Sequence, residues 1–320
     1  MRRFLRYALV ACFTCFCLSS HGQGYPVKPI RIVVPFTPGG PNDILARIAA
    51  QRLTAAWGQQ VIVDNRPGGG TVIGTEFVAK APPDGYTMLM VSTSHAANVS
   101  LMAKLPFDTL RDFAAVIQAV SSPNVLVVHP SIPARSTREL IAIAKARPGQ
   151  INFASGGSGS ATHLSGELLR LTAGVNMTHI PYKGAGPATI DLISGQVSWM
   201  FGTFLPTLPH IKTGNLRAVG VSSKQRVAVL PGIPAVAEDV PGFEAVSWYG
   251  MFAPAATPVE LVAKLNQEIA RGFTAPEVRD RLAKEGTAVV AGTPAEFAAL
   301  FKSEVAKWAR VIREANIRLE

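Results

Sequence analysis

What most constrains this chain is a repeated grammar of apolar strand, Pro/Gly turn and amphipathic helix, written most fully at residues 30–57, IRIVVPFTPGGPNDILARIAAQRLTAAW. Ile30-Arg31-Ile32-Val33-Val34 is β-branched and apolar, as expected of a strand covered on both faces. Pro38-Gly39-Gly40-Pro41 breaks it, Asn42 or Asp43 is placed to cap the next segment, and Ile44, Leu45, Ile48, Leu53 and Trp57 recur at helical spacing, predicting a helix over 43–57. Further strands are expected at 60–64, 87–91, 125–129, 151–154, 177–181, 197–201 and 216–221. Helices are expected between them at 73–80, 95–103, 136–146, 161–173, 186–194 and 206–212. Such alternation predicts an α/β fold of two lobes with parallel sheets and helices on both faces. A strand at 114–120 is expected to connect the lobes. After Gly232 come a strand at 247–253 and helices at 258–272, 276–285 and 294–315, expected to return to the first lobe. The expected division is an export segment at 1–24, a first lobe from 25–122 plus 226–320, and a second lobe at 123–225. Crossing strands would make this a hinged clamshell with a cleft between strand ends.

The amino-terminal residues form a separate unit. Arg2, Arg3 and Arg6 precede an apolar run from Tyr7 to Leu18, too short to span a bilayer, and small or polar residues come next at Ser19, Ser20 and Gly22. This predicts a cleavable signal peptide and a periplasmic mature chain. Cys12, Cys15 and Cys17 all fall inside it, so the mature chain has no disulfide, thiolate nucleophile or cysteine metal ligand. Losing three arginines and no acids takes the net charge from +10 to +7. The remaining basic residues are scattered rather than arrayed along one stripe, which argues against a nucleic-acid partner.

A glycine turn that opens a helix leaves backbone N–H groups unpaired and makes an anion site. The turn at 38–41 contains no Lys or Arg, which points to a small carboxylate held by neutral donors. Four further loops obey the same rule: 65–71 (NRPGGGT), 92–95 (STSH), 155–163 (SGGSGSATH) and 182–187 (YKGAGP). All would face one crevice at the carboxyl ends of strands.

Long blocks of the chain closely resemble the extracytoplasmic solute receptors of tripartite tricarboxylate transporters, the Bug or TctC-like family. They are YPVKPIRIVVPFTPGGPND at 25–43, NRPGGGTVIGTEFVAKAPPDGYTML at 65–89, INFASGGSGSATHLSGELL at 151–169, HIPYKGAGPATIDLISGQV at 179–197 and WYGMFAPAATP at 248–258. The resemblance implies a type II periplasmic-binding-protein fold that closes around a small carboxylated solute: a dicarboxylate, an amino acid or an aromatic acid. It also implies delivery to a membrane permease of one large and one small subunit. No cofactor and no metal are implied, and the receptor is expected to be a monomer. Carried over by position, the ligand residues are Phe36, Thr37, Gly39, Gly40 and Asp43 after the first strand. In the second lobe they are Ser155, Gly156, Ser160, Thr162 and His163, with Tyr182, Lys183 and Gly184 beside them. Ser92, Ser94, His95 and Asn98 are expected to tune the solute, and Phe201 and Gly202 to form a wall. Loops 36–43 and 155–163 would then grip one carboxylate from opposite sides.

Simpler roles compete for several of these residues. Asp43 reads first as a helix cap, Lys183 as a rim residue, Trp248 and Tyr249 as hinge or core packing, and His129, His179 and His210 as structural. Arg66 reads as an anchor of its own loop. A serine hydrolase is an alternative, since 156–160 approaches G-x-S-x-G around Ser158, but Ser160 replaces the last glycine. Phosphate-loop, dinucleotide and H-E-x-x-H signatures do not occur. A ligand sensor that feeds a signalling protein is the remaining alternative, and it would use the same cleft.

Overall fold

The computed structural model describes residues 24–182 and 184–318, so the expected export segment, apart from Gly24, and the site candidate Lys183 lie outside the described residues. From the amino end the chain runs β1 (Ile30–Val34), α1 (Pro41–Trp57), β2 (Val61–Asn65), α2 (Val72–Ala79), β3 (Thr87–Ser92), α3 (Ser94–Leu101) and β4 (Phe113–Pro123). It continues through β5 (Val125–Val128), α4 (Thr137–Ala146), β6 (Asn152–Ser155), α5 (Ala161–Ala173), β7 (Thr178–Pro181), α6 (Ala185–Ile193), β8 (Trp199–Gly202), α7 (Phe204–Lys212) and β9 (Arg217–Val221). It returns as α8 (Val236–Asp239), β10 (Val246–Pro254), α9 (Val259–Thr274), α10 (Pro276–Lys284), β11 (Ala288–Val289) and α11 (Pro294–Glu314). No described helix is long and apolar enough to cross a membrane.

Two sheets form, ordered β11-β4-β10-β3-β1-β2 and β7-β6-β8-β5-β9. Their cores are parallel: Ile30 pairs with Val61, Arg31 with Thr87, Asn152 with Thr178 and Phe153 with Trp199. The sheets as wholes are mixed rather than parallel as expected. β10 runs antiparallel to both β3 and β4, and β5 antiparallel to β8 and β9. The reason is the direction of entry. β5 comes after β4 with only the single residue Asn124 between them and enters the second sheet from the hinge, whereas β6, β7 and β8 each arrive from the far end after a helix.

Helix boundaries obey local chemistry. α1 begins at Pro41, two residues before the expected start, because a proline pre-sets helical φ at a position whose N–H would be unpaired anyway. It stops at Gly58, whose φ of 67° lets its N–H return to the Thr54 carbonyl. Leu45, Ala46, Ala49 and Leu53 on its buried face pack with Ile32, Val34 and the apolar stripe of α9, Leu265, Ile269 and Phe273. α11 opens with a reciprocal Thr293–Glu296 capping box. It packs on α3 and β4 as expected, and it also reaches α5 of the second lobe.

The chain crosses between the sheets twice, from β4 to β5 and from β9 to β10, and Ser222 ties the two crossings together. Its hydroxyl accepts the Asn124 N–H at 2.7 Å and donates to the Ala245 carbonyl at 2.6 Å, while its own N–H donates to Asn124 O at 2.8 Å. Ser222 is fully buried. Ser222→Ala strands one backbone donor and one acceptor away from water, so a loss of about 1–3 kcal/mol is expected in urea unfolding. A change within ~0.3 kcal/mol would show that the tie is dispensable.

Candidate functional site

In each sheet the parallel strands run the same way, so the loops that follow them gather at one end of the sheet. β1 lies between β2 and β3, and β6 between β7 and β8. The loops after β1, β2 and β3 therefore line one wall, and those after β6, β7 and β8 the other.

On the first wall, Asp43 occupies the third position of α1 and reaches back. Its Oδ2 accepts the Gly39 N–H at 2.9 Å, and Arg47 grips both carboxylate oxygens at 3.0 Å. The Arg47 hydrogen bonds, then that of Gly39, outweigh burial and hold this carboxyl below its ordinary range. Asp43 is only 3% exposed. It clamps the turn from inside α1; the N-cap is Gly40, so Asp43 is not the helix cap that the simpler reading expected. Gly39 takes a φ of 86° and is exposed together with Thr37, while Phe36 and Gly40 are half-buried. The Phe36 carbonyl accepts from Asn65 Nδ2 at 3.2 Å. Asn98 donates its amide to Gly70 O at 2.7 Å and Thr71 Oγ1 at 3.0 Å, holding the triple-glycine loop rather than a solute. Arg66 bonds Asp64 at 2.8 Å and lies over Phe77, an anchor of its own loop. Ser92 and Ser94 stand half-buried at the end of β3, hydroxyls 3.4 Å apart. His95 does not join them. Its ring is 2% exposed, stacked on Phe301 and edge-on to Phe113. One turn of α3 points toward α11 rather than the cleft, and that partner lies two hundred residues away in sequence.

On the second wall, residues 155–163 form a loop already knitted by its own side chains. Gly156 N–H donates to Thr162 Oγ1 at 3.0 Å, Gly157 N–H to Ser155 Oγ at 3.1 Å, and Gly159 N–H to His163 Nδ1 at 3.0 Å. Ser160 caps α5 by accepting the His163 N–H at 3.2 Å. These backbone donors are therefore not free to grip a carboxylate, contrary to the expectation for this loop. What remains toward the cleft are the Ser160 and Thr162 hydroxyls, 3.1 Å apart, and the first N–H groups of α5 and α6. Gly184 N–H donates to Gly156 O and Tyr182 N–H to Ser155 O, so this loop and the next move as one. The Tyr182 phenol turns away to Asp191 at 2.7 Å, and burial with that carboxylate pushes its pKa up to about 12. Phe201 is likewise no wall: it is fully buried between Trp199 and Phe243. Gly202 sits tight against Thr207, with no room for a side chain.

His179 has a larger part than the sequence suggested. Its Nε2 lies 2.7 Å from Ser155 Oγ, and its ring stacks on His163 at 3.7 Å. Burial, then the neighbouring His163 charge, pulls its pKa down to about 4, with Glu167 opposing. The only advance signal was a histidine on the strand next to the Gly/Ser loop. Ser158, the residue of the hydrolase alternative, is not the one that meets a histidine. Ser155 does, yet it is 1% exposed, and no carboxylate hydrogen-bonds the His179 ring among the described residues. A nucleophile–base–orienter set is therefore not assembled there. No group of three or more His, Cys, Asp or Glu suited to a metal occurs among the described residues.

At the foot of the cleft a cavity of ≈ 240 Å³ joins both walls and the hinge, with Pro41, Thr203, Ser122 and Tyr249 on its lining. Larger hollows of ≈ 470 and ≈ 480 Å³ lie beside α11 and between α1 and α9–α10. Neither is lined by the loops that follow β1, β2, β3, β6, β7 or β8.

Comparison with known proteins agrees with this geometry. A family model described as "Tripartite tricarboxylate transporter family receptor" matches residues 45–317. Protein BugT of Bordetella pertussis is 39% identical over 299 residues, 92% of each chain. The solved structure "R. palustris Rpa4515 with adipate" superposes with a TM-score of 0.80 at 35% identity, covering 92% of this chain and 99% of that one. MatC from Rhodopseudomonas palustris with bound malate superposes at 0.76 with 32% identity, over 90% of this chain and 100% of its own.

Proposed function

The chain belongs to the TctC family, the receptors of tripartite tricarboxylate transporters, and on that footing we propose that it is a periplasmic receptor that captures a small organic carboxylate by closing its two lobes. Export by the amino-terminal segment places it there, and the loaded form passes its solute to a permease of one large and one small subunit. The observation that carries this reading is the cavity where Pro41 of the loop after β1, Thr203 of the loop after β8 and Ser122 of the crossing strand share one lining. A ligand held by both walls has contacts in the closed state that neither wall offers alone, so binding draws the equilibrium toward closure.

On the second wall the carboxylate sits against Ser160, Thr162 and the opening of α6. Three or four charge-assisted hydrogen bonds at about 1.5–3 kcal/mol each, less the cost of ordering, suffice for micromolar affinity near 8 kcal/mol. Native mass spectrometry of protein matured in the periplasm tests the reading: a retained small acid supports it. Protein that comes out empty, and then fails to bind any of a panel of carboxylic acids in calorimetry, would remove it.

The placement has its own test. A Cβ on Gly156 would meet Ala185 N at 3.5 Å and Thr162 Oγ1 at 3.6 Å, ordinary contact distances, and its backbone is not in the left-handed region. Gly156→Val is thus expected to fold while its branches crowd the opening of α6, weakening acid binding at least ~10-fold. Unchanged affinity would move the carboxylate elsewhere. Ser155→Trp is unsuitable as a probe, because Ser155 lies buried beneath His179.

A further inference from the structure

The foot of the cleft differs in chemistry from the loops above it. In the ≈ 240 Å³ cavity, Ile44 and Leu45 of α1 stand with Phe204 and Pro206 of the second lobe, and Leu282 of α10 adds to the apolar lining. Its lining adjoins, along the chain, the loops that form the two walls. Pro41 is next to Gly40, Thr203 is next to Gly202, and β8 borders β6, so Thr203 shares an edge with Ser155. Tyr249, also on the lining, pairs with Ser92 at the end of β3. No lysine or arginine is among the described lining residues, and the one ionised group is the acid Glu285. A second carboxylate placed there would leave water for apolar walls and find no free cation on the lining, since Arg281, which lies outside it, is already paired with Glu285 at 3.5 Å. A ring or a branched alkyl group would find matching surface.

We propose that the solute is a monocarboxylate with an apolar far end, its acid group on the loops and its tail in this cavity, rather than a short dicarboxylate. This rests on the receptor reading and narrows it.

The test is calorimetry of the full mature chain with 3-phenylpropanoate, propanoate and succinate. Phenylpropanoate is expected to bind about 10- to 100-fold more tightly than either, the gain from withdrawing one ring from water. Ile44→Trp, which fills the cavity from half-buried Ile44, should erase that advantage, bringing phenylpropanoate to within ~3-fold of propanoate. Glu285→Lys, at a half-buried rim position, should improve succinate at least ~10-fold by supplying the missing cation, and it keeps the test alive if the tryptophan variant fails to fold. Succinate binding more tightly than phenylpropanoate to the native chain would overturn the proposal, as would Ile44→Trp weakening propanoate and phenylpropanoate alike. Those outcomes leave the receptor reading intact. If no carboxylate binds at all, the receptor reading falls and this proposal falls with it.

Discussion

Glu304→Ala is expected to lower the stability of the folded chain by about 3–5 kcal/mol, read as a shift in the urea or thermal midpoint. The carboxylate is buried, and its Oε2 accepts two indole N–H groups, from Trp308 at 2.7 Å and Trp248 at 3.2 Å. Lys307 pairs with its other oxygen. Removing the side chain strands two buried donors and a partly buried ammonium at once. The site also joins β10, one of the crossing strands, to α11, which touches both lobes. Glu304→Gln, which keeps an acceptor oxygen for the indoles, should recover more than half of the loss. A change under ~1 kcal/mol for Glu304→Ala would mean that the tryptophans find other partners.

Acid is expected to destabilise the chain steeply below pH 6.5, through His179 and His95. Burial lowers His179 to about 4 and His95 to about 3. Each is neutral in both states above the unfolded value of 6.5, so its contribution is fully present there. As pH falls below 6.5, the unfolded chain takes up a proton that the folded chain refuses, and stability is lost down to the folded pKa. A depression of this size corresponds to a loss on the order of 3 kcal/mol for His179, and His95 acts in the same direction. The surroundings differ. His179 faces His163 and Glu167 within its own lobe, whereas His95 is set among Phe113, Phe252 and Phe301, with its Nε2 unpartnered among the described residues. His95→Phe should therefore flatten part of the acid limb between pH 6.5 and 4 without loss at pH 7.5. An unchanged pH profile for His95→Phe would show that His95 takes up its proton as readily in the folded chain as in the unfolded one.

Much of the fold was legible because its signals are local. The helix at 161–173 falls on its expected bounds, with Ser160 as the cap and Gly174 in the left-handed region at its end. The glycine turns could be placed at the ends of strands for the same reason. Elements without a local signature were missed: the short α8, the two-residue β11 and the 3-10 turn Gly69–Thr71. β11 exists only because β4 offers it an edge. The candidate site was legible as loops but less so as side chains. Asp43, Asn98, His163 and Tyr182 all sit where expected along the chain, yet each is committed to holding a loop or its neighbour.

Residues within a few positions of one another set the repeated units, the strand–turn–helix loops and the absence of Lys and Arg from the turn at 38–41, and so all three could be read from the sequence. Tertiary structure alone decided which donors stay free, which way β5 and β10 run, and that His95 and Phe201 turn into the core. It also brought together Ile44, Phe204, Tyr249 and Leu282, from four distant parts of the chain, around one cavity. That convergence has no local signature, because packing between segments far apart in sequence sets the chemistry of a cleft.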